Sequence, residues 1–306
     1  MKWILKIISS VVILAIIVAA VVLIPAHIQV RGVVPKLPSK EELLALTKSS
    51  DILSGPTKLS YIHTSSQPLT RGQISHISIL VEWDNGKRFL IDVGMSQQEA
   101  ENFAKLLQKM DSSAGQVTVR GTISQLLGPD IKDVAGVGFT HLHIDHTQGI
   151  KNFCESRGQG AVLLQTASQQ ELHNFNTTEG ADMVSNSCLK RIAFSSDDNE
   201  RLHKSDQFPG IAAFELGGHT PGSTLWVVAL DDKVFLFCGD ITNDKASLNH
   251  NTPKSALYSY LLVPENTKRT TELRKWLNTL DKNDQFSVIV SHDLANTQYY
   301  LNEFIR

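Results

Sequence analysis

The chain of 306 residues is predicted to fold as an α/β layered domain behind an N-terminal transmembrane helix. Two observations lead to this fold class. An apolar run without charges lies near the N-terminus, and short β-rich runs alternate with amphipathic helical runs from residue 58 onward. We therefore expect three segments: a transmembrane anchor or signal segment at 1–25, a juxtamembrane linker at 26–57 and the layered domain at 58–306.

The N-terminal segment is uncharged over residues 7–24, which is just long enough to span the hydrocarbon of a bilayer. Lys2 and Lys6 precede this run, which favours a cytoplasmic N-terminus and a body on the other side, facing the periplasm or the cell exterior. A cleaved signal peptide, followed by secretion, is the alternative, because the same lysines form a basic n-region. The apolar run is longer than a usual signal core, so we predict a single-pass anchor.

Residues 25–58 carry four prolines and few large apolar side chains, which is typical of a tether. A short helix is expected from Ser39, because Glu42 three residues later completes a capping box.

The layered domain begins with two β-rich runs in ISHISILVEWDNGKRFLIDVG, joined by a hairpin turn at Asp84, Asn85 and Gly86. The run SQQEAENFAKLLQKM has apolar residues at helical spacing and Ser96 as its N-cap. Further strands are predicted at VAGVGFT, AVLLQ, IAAFEL, TLWVVAL, KVFLFCGD and FSVIVSH. Further helices are predicted at TQGIKNFCES, ASQQELHNF, ENTKRTTELRKWLNTL and the C-terminal tail.

Composition and charge exclude some classes of partner. The formal net charge is −2, which provides no basic field for nucleic acid, so no nucleic-acid partner is expected. Cys154, Cys188 and Cys238 are far apart and form no CxxC pair. We expect three buried small hydrophobic residues there, and one disulfide with a spare thiol is the alternative.

The stretch THLHIDHTQG concentrates metal-binding side chains directly after a predicted strand. His141, His143, Asp145 and His146 fall within six positions, although the whole chain has only 11 histidines. Neutral imidazole and carboxylate are the usual ligands of zinc and similar divalent ions, and loops that leave strand ends commonly carry functional sites. The stretch therefore predicts part of a metal site.

Three other predicted strands also end on possible ligands. His219 follows a strand in ELGGHTPGST, Asp240 ends the apolar strand FLFCGD, and His292 ends VIVSHD. A carboxylate at the end of an apolar strand is costly to bury without a partner. We therefore expect these residues to complete the metal site.

Together, THLHIDH, GGHTPGS, FCGD and VSHD, preceded by FLIDVG, resemble the five ordered motifs of the metallo-β-lactamase superfamily, with a bridging Asp as in glyoxalase II and the lactonases. The resemblance extends from about Lys58 to the C-terminus. It implies a four-layer α/β/β/α sandwich with the metals at one edge of the two sheets.

The resemblance also implies the ligand sets. His141, His143 and His219 would hold one metal, Asp145, His146 and His292 would hold a second metal, and Asp240 would bridge the two. Asp92, at the end of FLIDVG, would support the site through hydrogen bonds without binding a metal directly. Two divalent metal ions are thus expected, with Zn²⁺ first and Mn²⁺ or Fe²⁺ as alternatives.

The implied chemistry is hydrolysis. Two neighbouring cations lower the pKa of a shared water and stabilise the oxyanion that develops when the resulting hydroxide attacks. Asp145 and Asp240 would limit the net charge of the cluster and orient or shuttle the proton. The predicted enzyme is a dinuclear metallohydrolase acting on a small ester, lactone or thioester.

Several alternatives for the activity stay open. Phosphoric or sulfuric ester hydrolysis at the same site is the first, and a catalytically inactive binding protein is another. β-Lactam hydrolysis is disfavoured, because true β-lactamases of this fold usually have Cys or Ser where Asp240 stands. Related lactonases commonly have Tyr three residues after the bridging Asp, whereas this chain has Asn243.

Two features near the C-terminus are given ordinary structural interpretations. Tyr258 and Tyr260 could replace the missing tyrosine, but we expect them to be helix-face aromatics. The run KRTTELRKW is expected to present Lys268, Arg269, Arg274 and Lys275 as a solvated basic face.

Overall fold

The computed structural model describes residues 2–48, 54–70, 72–195 and 201–306. In this part of the chain the helices are α1 (Lys2–Gly32), α2 (Lys40–Ala45), α3 (Gln97–Met110), α4 (Ile123–Leu127), α5 (Ile144–Thr147), α6 (Ile150–Arg157), α7 (Ala167–Glu171), α8 (Thr178–Ser185), α9 (Lys245–His250), α10 (Thr267–Asp281) and α11 (Leu294–Tyr300). A π-helical turn covers Tyr258–Leu262, and 3-10 turns cover Gly128–Asp133 and Gly239–Ile241.

The strands of the described residues belong to two sheets. They are β1 (Lys58–Pro68), β2 (Gln73–Glu82), β3 (Arg88–Ile91), β4 (Thr118–Val119), β5 (Val134–Gly138), β6 (Val162–Leu164), β7 (Lys190–Ile192), β8 (His203–Lys204), β9 (Ile211–Glu215), β10 (Thr224–Leu230), β11 (Lys233–Phe237), β12 (Phe286–Ile289) and β13 (Asn302–Glu303). The first sheet has the order β13-β1-β2-β3-β5-β6-β7, with β4 paired to β1. The second has the order β12-β11-β10-β9-β8.

Three buried apolar clusters separate four layers. One cluster lies between the two sheets and includes Phe89, Trp226 and Ile289. A second, including Leu80 and Phe153, lies between the first sheet and helices α4, α6 and α8, and a third lies between the second sheet and helices α2, α9 and α10. The helix–sheet–sheet–helix order confirms the predicted α/β/β/α sandwich.

The local signals in the sequence correspond to the observed elements. The hairpin between β2 and β3 turns at residues 84–86, and Ser39 and Glu42 form the capping box of α2. The hydroxyl of Ser96 accepts from the backbone N–H of Glu99 at the start of α3. These signals succeed because each depends only on residues that are close in sequence.

The N-terminal helix α1 is long and apolar, with a mean hydropathy of 3.3 and no burial in its most apolar window. This fits a transmembrane or anchor helix. The helix continues through Pro25 to Gly32, so the first residues of the segment that we predicted as a linker are helical. The division of the chain at residues 25 and 57 stays a prediction.

The cysteine prediction was wrong for two of the three residues. Cys154 and Cys188 form a disulfide with a Cα–Cα distance of 5.6 Å, and Cys238 is free and buried. The pairing arises because α6 and the segment before β7 lie side by side in the fold, which a spacing of 34 residues does not reveal.

The predicted basic face of α10 was wrong for its two arginines. Lys268 and Lys275 are exposed, but Arg269 and Arg274 are only 2% and 1% exposed. Arg269 donates to the carbonyls of Leu216 and Pro35, and Arg274 donates to the side chain of Asn251. The planar guanidinium has enough donors to be satisfied in a buried position, so positive charge in the sequence did not mean a solvated surface here.

Candidate metal centre

The predicted ligands meet at one edge of the sandwich, because each follows the carboxyl end of a strand. His141, His143, Asp145 and His146 follow β5, and His219, Asp240 and His292 follow β9, β11 and β12. Strands β3 and β5 are parallel neighbours in the first sheet, and β11 and β12 are parallel neighbours in the second. The structure therefore brings all seven side chains together, and each is buried.

Close packing of the sheets fixes this edge. Trp226 of β10 lies against Gly138, the last residue of β5, where an added Cβ would come within 2.1 Å of the indole ring. The indole N–H donates to the carbonyl of Phe139 at 3.0 Å. The glycine thus lets the second sheet approach the start of the histidine cluster.

The first group of ligand atoms consists of three imidazole nitrogens. Nδ1 of His143 lies 3.0 Å from Nε2 of His141 and 3.3 Å from Nε2 of His219. Ligand atoms around a tetrahedral zinc are about 3.4 Å apart, given zinc–nitrogen bonds of about 2.1 Å. The spacing of this group therefore suits one divalent ion.

The second group surrounds Asp145. Its Oδ2 lies 3.5 Å from Nε2 of His146 and 3.5 Å from Nε2 of His292. Nδ1 of His292 donates to the carbonyl of Ser75 at 2.9 Å, so Nε2 is free to act as a ligand.

Asp240 reaches both groups. Its Oδ2 lies 3.0 Å from Nε2 of His292 and 3.8 Å from Nε2 of His219, and its Oδ1 lies 3.5 Å from Nε2 of His146. One carboxylate thus contacts ligand atoms of two groups, which is the arrangement that a bridging ligand requires.

Asp92 holds the histidine cluster in place. Its carboxylate accepts from the backbone N–H and the hydroxyl of Thr140, each at 2.8 Å, and lies 2.8 Å from Nδ1 of His146. Asp92 has φ of 61°, a strained conformation for a non-glycine residue that persists only where contacts enforce it. These three contacts direct Nε2 of His146 toward Asp145 and Asp240.

Glu265 and Lys254 form a charged layer behind His219 that the sequence did not suggest. Oε1 of Glu265 accepts from Nδ1 of His219 at 2.6 Å, and Nζ of Lys254 lies 3.3 Å from the same oxygen. Lys254 also donates to the backbone carbonyl of Asp240 at 2.8 Å. Burial would raise the pKa of Glu265, but the charge of Lys254 and the hydrogen bond from His219 lower it to about 2.

Tyr258 and His76 are two further residues near the centre. Burial raises the pKa of the Tyr258 phenol well above its usual range, and the carboxylates of Asp240 and Glu265 raise it further. The side chain of Tyr260, two residues later, is 45% exposed. His76, on β2, is 4% exposed, with its Nε2 3.7 Å from Oδ2 of Asp145. A histidine inside the apolar strand SHISILVE was the one available signal for His76.

The donor set fits divalent metal ions. Nε2 of His146 and Oδ1 of Asp240 are buried and lack a hydrogen-bond partner among the described residues. Unpaired buried polar atoms are costly, and imidazole nitrogens beside carboxylates are good ligands for divalent cations. These residues therefore support divalent metal binding.

The family follows from this site and from the sequence match. Residues 71–252 match the profile of the metallo-beta-lactamase superfamily. The chain belongs to this superfamily. The match covers six of the seven predicted ligands and ends before His292. Membership confirms the predicted family and the metallohydrolase class of enzyme. None of the curated protein sequences matches the chain.

Solved structures of this superfamily have the same fold. An N-acyl homoserine lactone hydrolase with the product N-hexanoyl-L-homoserine at its catalytic metal centre aligns with a TM-score of 0.57 and 17% identity, covering 81% of this chain and 98% of that one. A probable metal-dependent hydrolase from Staphylococcus aureus aligns with a TM-score of 0.52 and 14% identity, covering 78% and 90%. A dizinc quorum-quenching lactonase aligns with a TM-score of 0.50 and 15% identity, covering 79% and 92%.

Proposed function

We propose that this protein is a dinuclear metal-dependent hydrolase that cleaves a small ester, lactone or thioester outside the cytoplasm, held at the membrane by α1. The observation that carries the proposal is the position of Asp240, whose two oxygens lie near ligand atoms of both groups. The similarity to lactone hydrolases supports lactones as the first substrates to test.

In the proposed site, His141, His143 and His219 would hold one ion, Asp145, His146 and His292 would hold the other, and Asp240 would contribute to both. Zn²⁺ is the expected metal, because the donors are mainly imidazoles with few carboxylates. A bound pair of divalent ions supplies hydroxide at neutral pH and polarises the carbonyl oxygen of the substrate.

The carboxylates set the charge and the proton transfers of the proposed site. Asp145 and Asp240 offset two of the four positive charges that two divalent ions bring, and the remaining positive charge favours a developing oxyanion. The carboxylates of Asp145 and Asp240 both lie beside the proposed ligand atoms, so they can orient the attacking water or shuttle the proton that it loses. Asp92 and Glu265 keep the rings of His146 and His219 in one tautomer.

Tyr258 is the proposed hydrogen-bond donor to the substrate. It replaces the tyrosine that related lactonases carry where this chain has Asn243. The centroid of the Tyr258 ring lies 5.0 Å from Nζ of Lys254, which donates to the backbone carbonyl of Asp240, so the ring lies beside the proposed site. A phenol is protonated at neutral pH, so it can donate to the oxygen on which negative charge develops.

The test uses the full chain in detergent, reconstituted with zinc or manganese. We expect about two metal ions per chain and hydrolysis of at least one member of a panel of lactones, thioesters, β-lactams and phosphodiesters. Asp240→Ala should lower both the metal content and the rate, whereas Asp232→Ala, in an exposed turn, should change neither. Fewer than about one ion per chain would overturn the proposal, and hydrolysis of phosphodiesters alone would assign the site to the alternative activity.

A further inference from the structure

The C-terminal end of α1 is fixed to the catalytic domain beside a metal-ligand motif. Ala26 and Val30 are 3% and 0% exposed, so this end of the helix is packed. The carbonyl of Val33 lies against Gly217, two residues before His219, where an added Cβ would come within 2.3 Å of it. The direction of the helix relative to the metal centre is therefore set by close packing.

An exposed apolar patch continues from α1 toward the metal centre. It consists of Phe175, Leu257, Tyr260, Leu261 and Leu262, which are 45%, 62%, 45%, 53% and 38% exposed. Clusters of exposed large apolar side chains commonly mark interaction surfaces.

The apolar patch is tied to the helix and to the site. His27 Nε2 lies 3.1 Å from the carbonyl of Tyr260, and the side chain of Asn176 donates to the carbonyl of Leu262 at 2.9 Å. Tyr258 and Ser259 belong to the same π-helical turn, and Ser259 donates to Glu265. One short segment thus connects the apolar patch with the charged layer behind His219.

The position of the apolar patch along α1 gives its expected depth in the bilayer. Phe175 and Leu261 line an open groove of about 610 Å³ together with α1 residues between 11 and 23. Those residues extend over about 18 Å at the helical rise of about 1.5 Å per residue, and the bilayer hydrocarbon is about 30 Å thick. If residues 7–24 cross the membrane, Phe175 and Leu261 lie alongside the part of the helix that is in lipid.

We propose that the apolar patch is immersed in the bilayer and that the metal centre takes an amphiphilic substrate, whose acyl chain lies in the lipid, from the membrane surface. The patch stands beside the anchor helix, and its large apolar side chains are exposed, which suits contact with lipid. The substrate part of this inference rests on the proposed hydrolase activity, whereas the immersion of the patch rests only on the proposed anchoring by α1.

Immersion is tested on the full chain in phosphatidylcholine vesicles. Leu261→Cys is labelled with an environment-sensitive fluorophore. The label is selective for this position, because Cys238 is buried and Cys154 and Cys188 are paired. The control is Ile305→Cys, because Ile305 is 84% exposed. Its neighbour Arg306 lies against Gly128, which precedes β5, so position 305 is at the edge of the sandwich opposite the metal centre. We expect lipids brominated on their acyl chains to quench the label at position 261 and aqueous iodide to quench the label at position 305. Equal iodide quenching at both positions would overturn the proposal.

The substrate class is tested with acyl lactones of increasing chain length in the same vesicles. Leu261→Asp should lower kcat/KM for the long-chain members about tenfold and leave the short-chain members unchanged, and Ile305→Asp should affect neither. An unchanged ratio of long-chain to short-chain activity would overturn the substrate class. Absence of hydrolysis for every member would instead count against the proposed function and leave the quenching result valid.

His76 carries a second inference, because it is a buried histidine whose Nε2 has no hydrogen-bond partner among the described residues. Its Nδ1 lies 3.0 Å from the hydroxyl of Ser65, so Nε2 is directed away from β1 and toward the second ligand group. Ligand atoms of His76, Asp145 and His292 all lie within 4.8 Å of one another.

We infer that His76 is an additional ligand of the metal held by the second group. The same pattern occurs at His292 and His146, where Nδ1 contacts an oxygen and Nε2 faces the carboxylates. The distance of 3.7 Å from Nε2 of His76 to Oδ2 of Asp145 suits two atoms bound to one ion with bonds of about 2.1 Å.

The test is the cobalt-loaded full chain, in which imidazole N–H protons near the metal give shifted, exchangeable proton resonances. His76→Ala should remove one such resonance, change the visible absorption of the cobalt in the second group and weaken binding of the second ion about tenfold or more. His63→Ala is the control. His63 lies on β1 and is buried like His76, but its ring nitrogens contact Ser65 and Arg120 and not the ligand groups. Unchanged resonances and absorption in His76→Ala would overturn the inference. If that variant does not fold, the imidazoles bound to metal are counted in the wild type by selective nitrogen labelling of histidine. Six metal-bound imidazoles are expected, and a count of five would overturn the inference.

Discussion

Oε1 of Glu265 lies 2.6 Å from Nδ1 of His219, although the two residues are 46 positions apart in the chain. The contact keeps the proton on Nδ1 and leaves Nε2 of His219 to face His143 and Asp240. The carboxylate itself is held by Lys254 and by the hydroxyl of Ser259. The orientation of one proposed metal ligand thus depends on a residue from the segment before α10.

Glu265→Gln should therefore weaken the binding of the first metal by about 10- to 100-fold, because the amide keeps the shape of the side chain and loses its charge. The measurement is competition for zinc with a chelating dye. Glu155→Gln, on the exposed side of α6, is the control and should leave the affinity unchanged. Equal affinities in all three proteins would show that Glu265 does not orient His219.

Tyr258→Phe should lower kcat by about 10- to 100-fold on the hydrolysed substrate, since loss of an oxyanion donor typically costs this much or more. The metal content should stay the same, because the phenol is not a predicted ligand. Tyr260→Phe is the matched control, as its ring is exposed two residues away. A rate loss in Tyr260→Phe equal to that in Tyr258→Phe would contradict the assignment.

The native protein should have no thiol that a reagent can reach, and unfolding should expose one. Cys238 is buried and burial raises its pKa to about 12, so the native protein should not react with a thiol reagent at pH 8. Denaturation alone should expose one thiol, and denaturation with a reductant should expose three. Reduction of the disulfide should lower the free energy of unfolding by about 3–4 kcal/mol, given the loop that separates Cys154 and Cys188. Three thiols without reductant would contradict the pairing.

Arg274→Ala should lower the free energy of unfolding by about 1–3 kcal/mol, because it leaves Asn251 without its donor and removes a side chain that is 1% exposed. Lys275→Ala, one position along α10 and exposed, should change it by less than about 0.5 kcal/mol. Urea denaturation measures both. Similar losses in the two variants would contradict the burial of Arg274.

Asp111 should make stability depend on acidic pH. Hydrogen bonds from the backbone N–H of Thr70 and from the hydroxyls of Ser113 and Thr70 hold its pKa well below the usual range. A carboxyl whose pKa is lower in the folded state stabilises the protein above its unfolded pKa of about 4 and loses this contribution as pH falls below that value. Asp111→Asn should therefore destabilise the protein at pH 7 and show a smaller further loss between pH 4 and pH 2 than the wild type, measured by thermal unfolding. Parallel losses over this pH range would exclude the effect.

Most of the metal site could be predicted from the sequence because the ligand types and their places are local properties. Imidazole and carboxylate are usual ligands of divalent ions, and each proposed ligand lies in the segment that follows an apolar strand, as His219 and Asp240 do. The resemblance of the ordered motifs to the superfamily implied the four-layer fold, which the structure confirms, and the seven proposed ligands.

The tertiary structure alone decided which distant residues support that site. Glu265 and Lys254 have no local pattern that marks them, and the only signal for His76 was its position inside an apolar strand. The roles of all three depend on which loops and strands are neighbours. The same reason explains the Cys154–Cys188 disulfide and the burial of Arg274. Residue type and spacing determine what a side chain can bind, whereas its partner is determined by the packing of segments that are far apart in the chain.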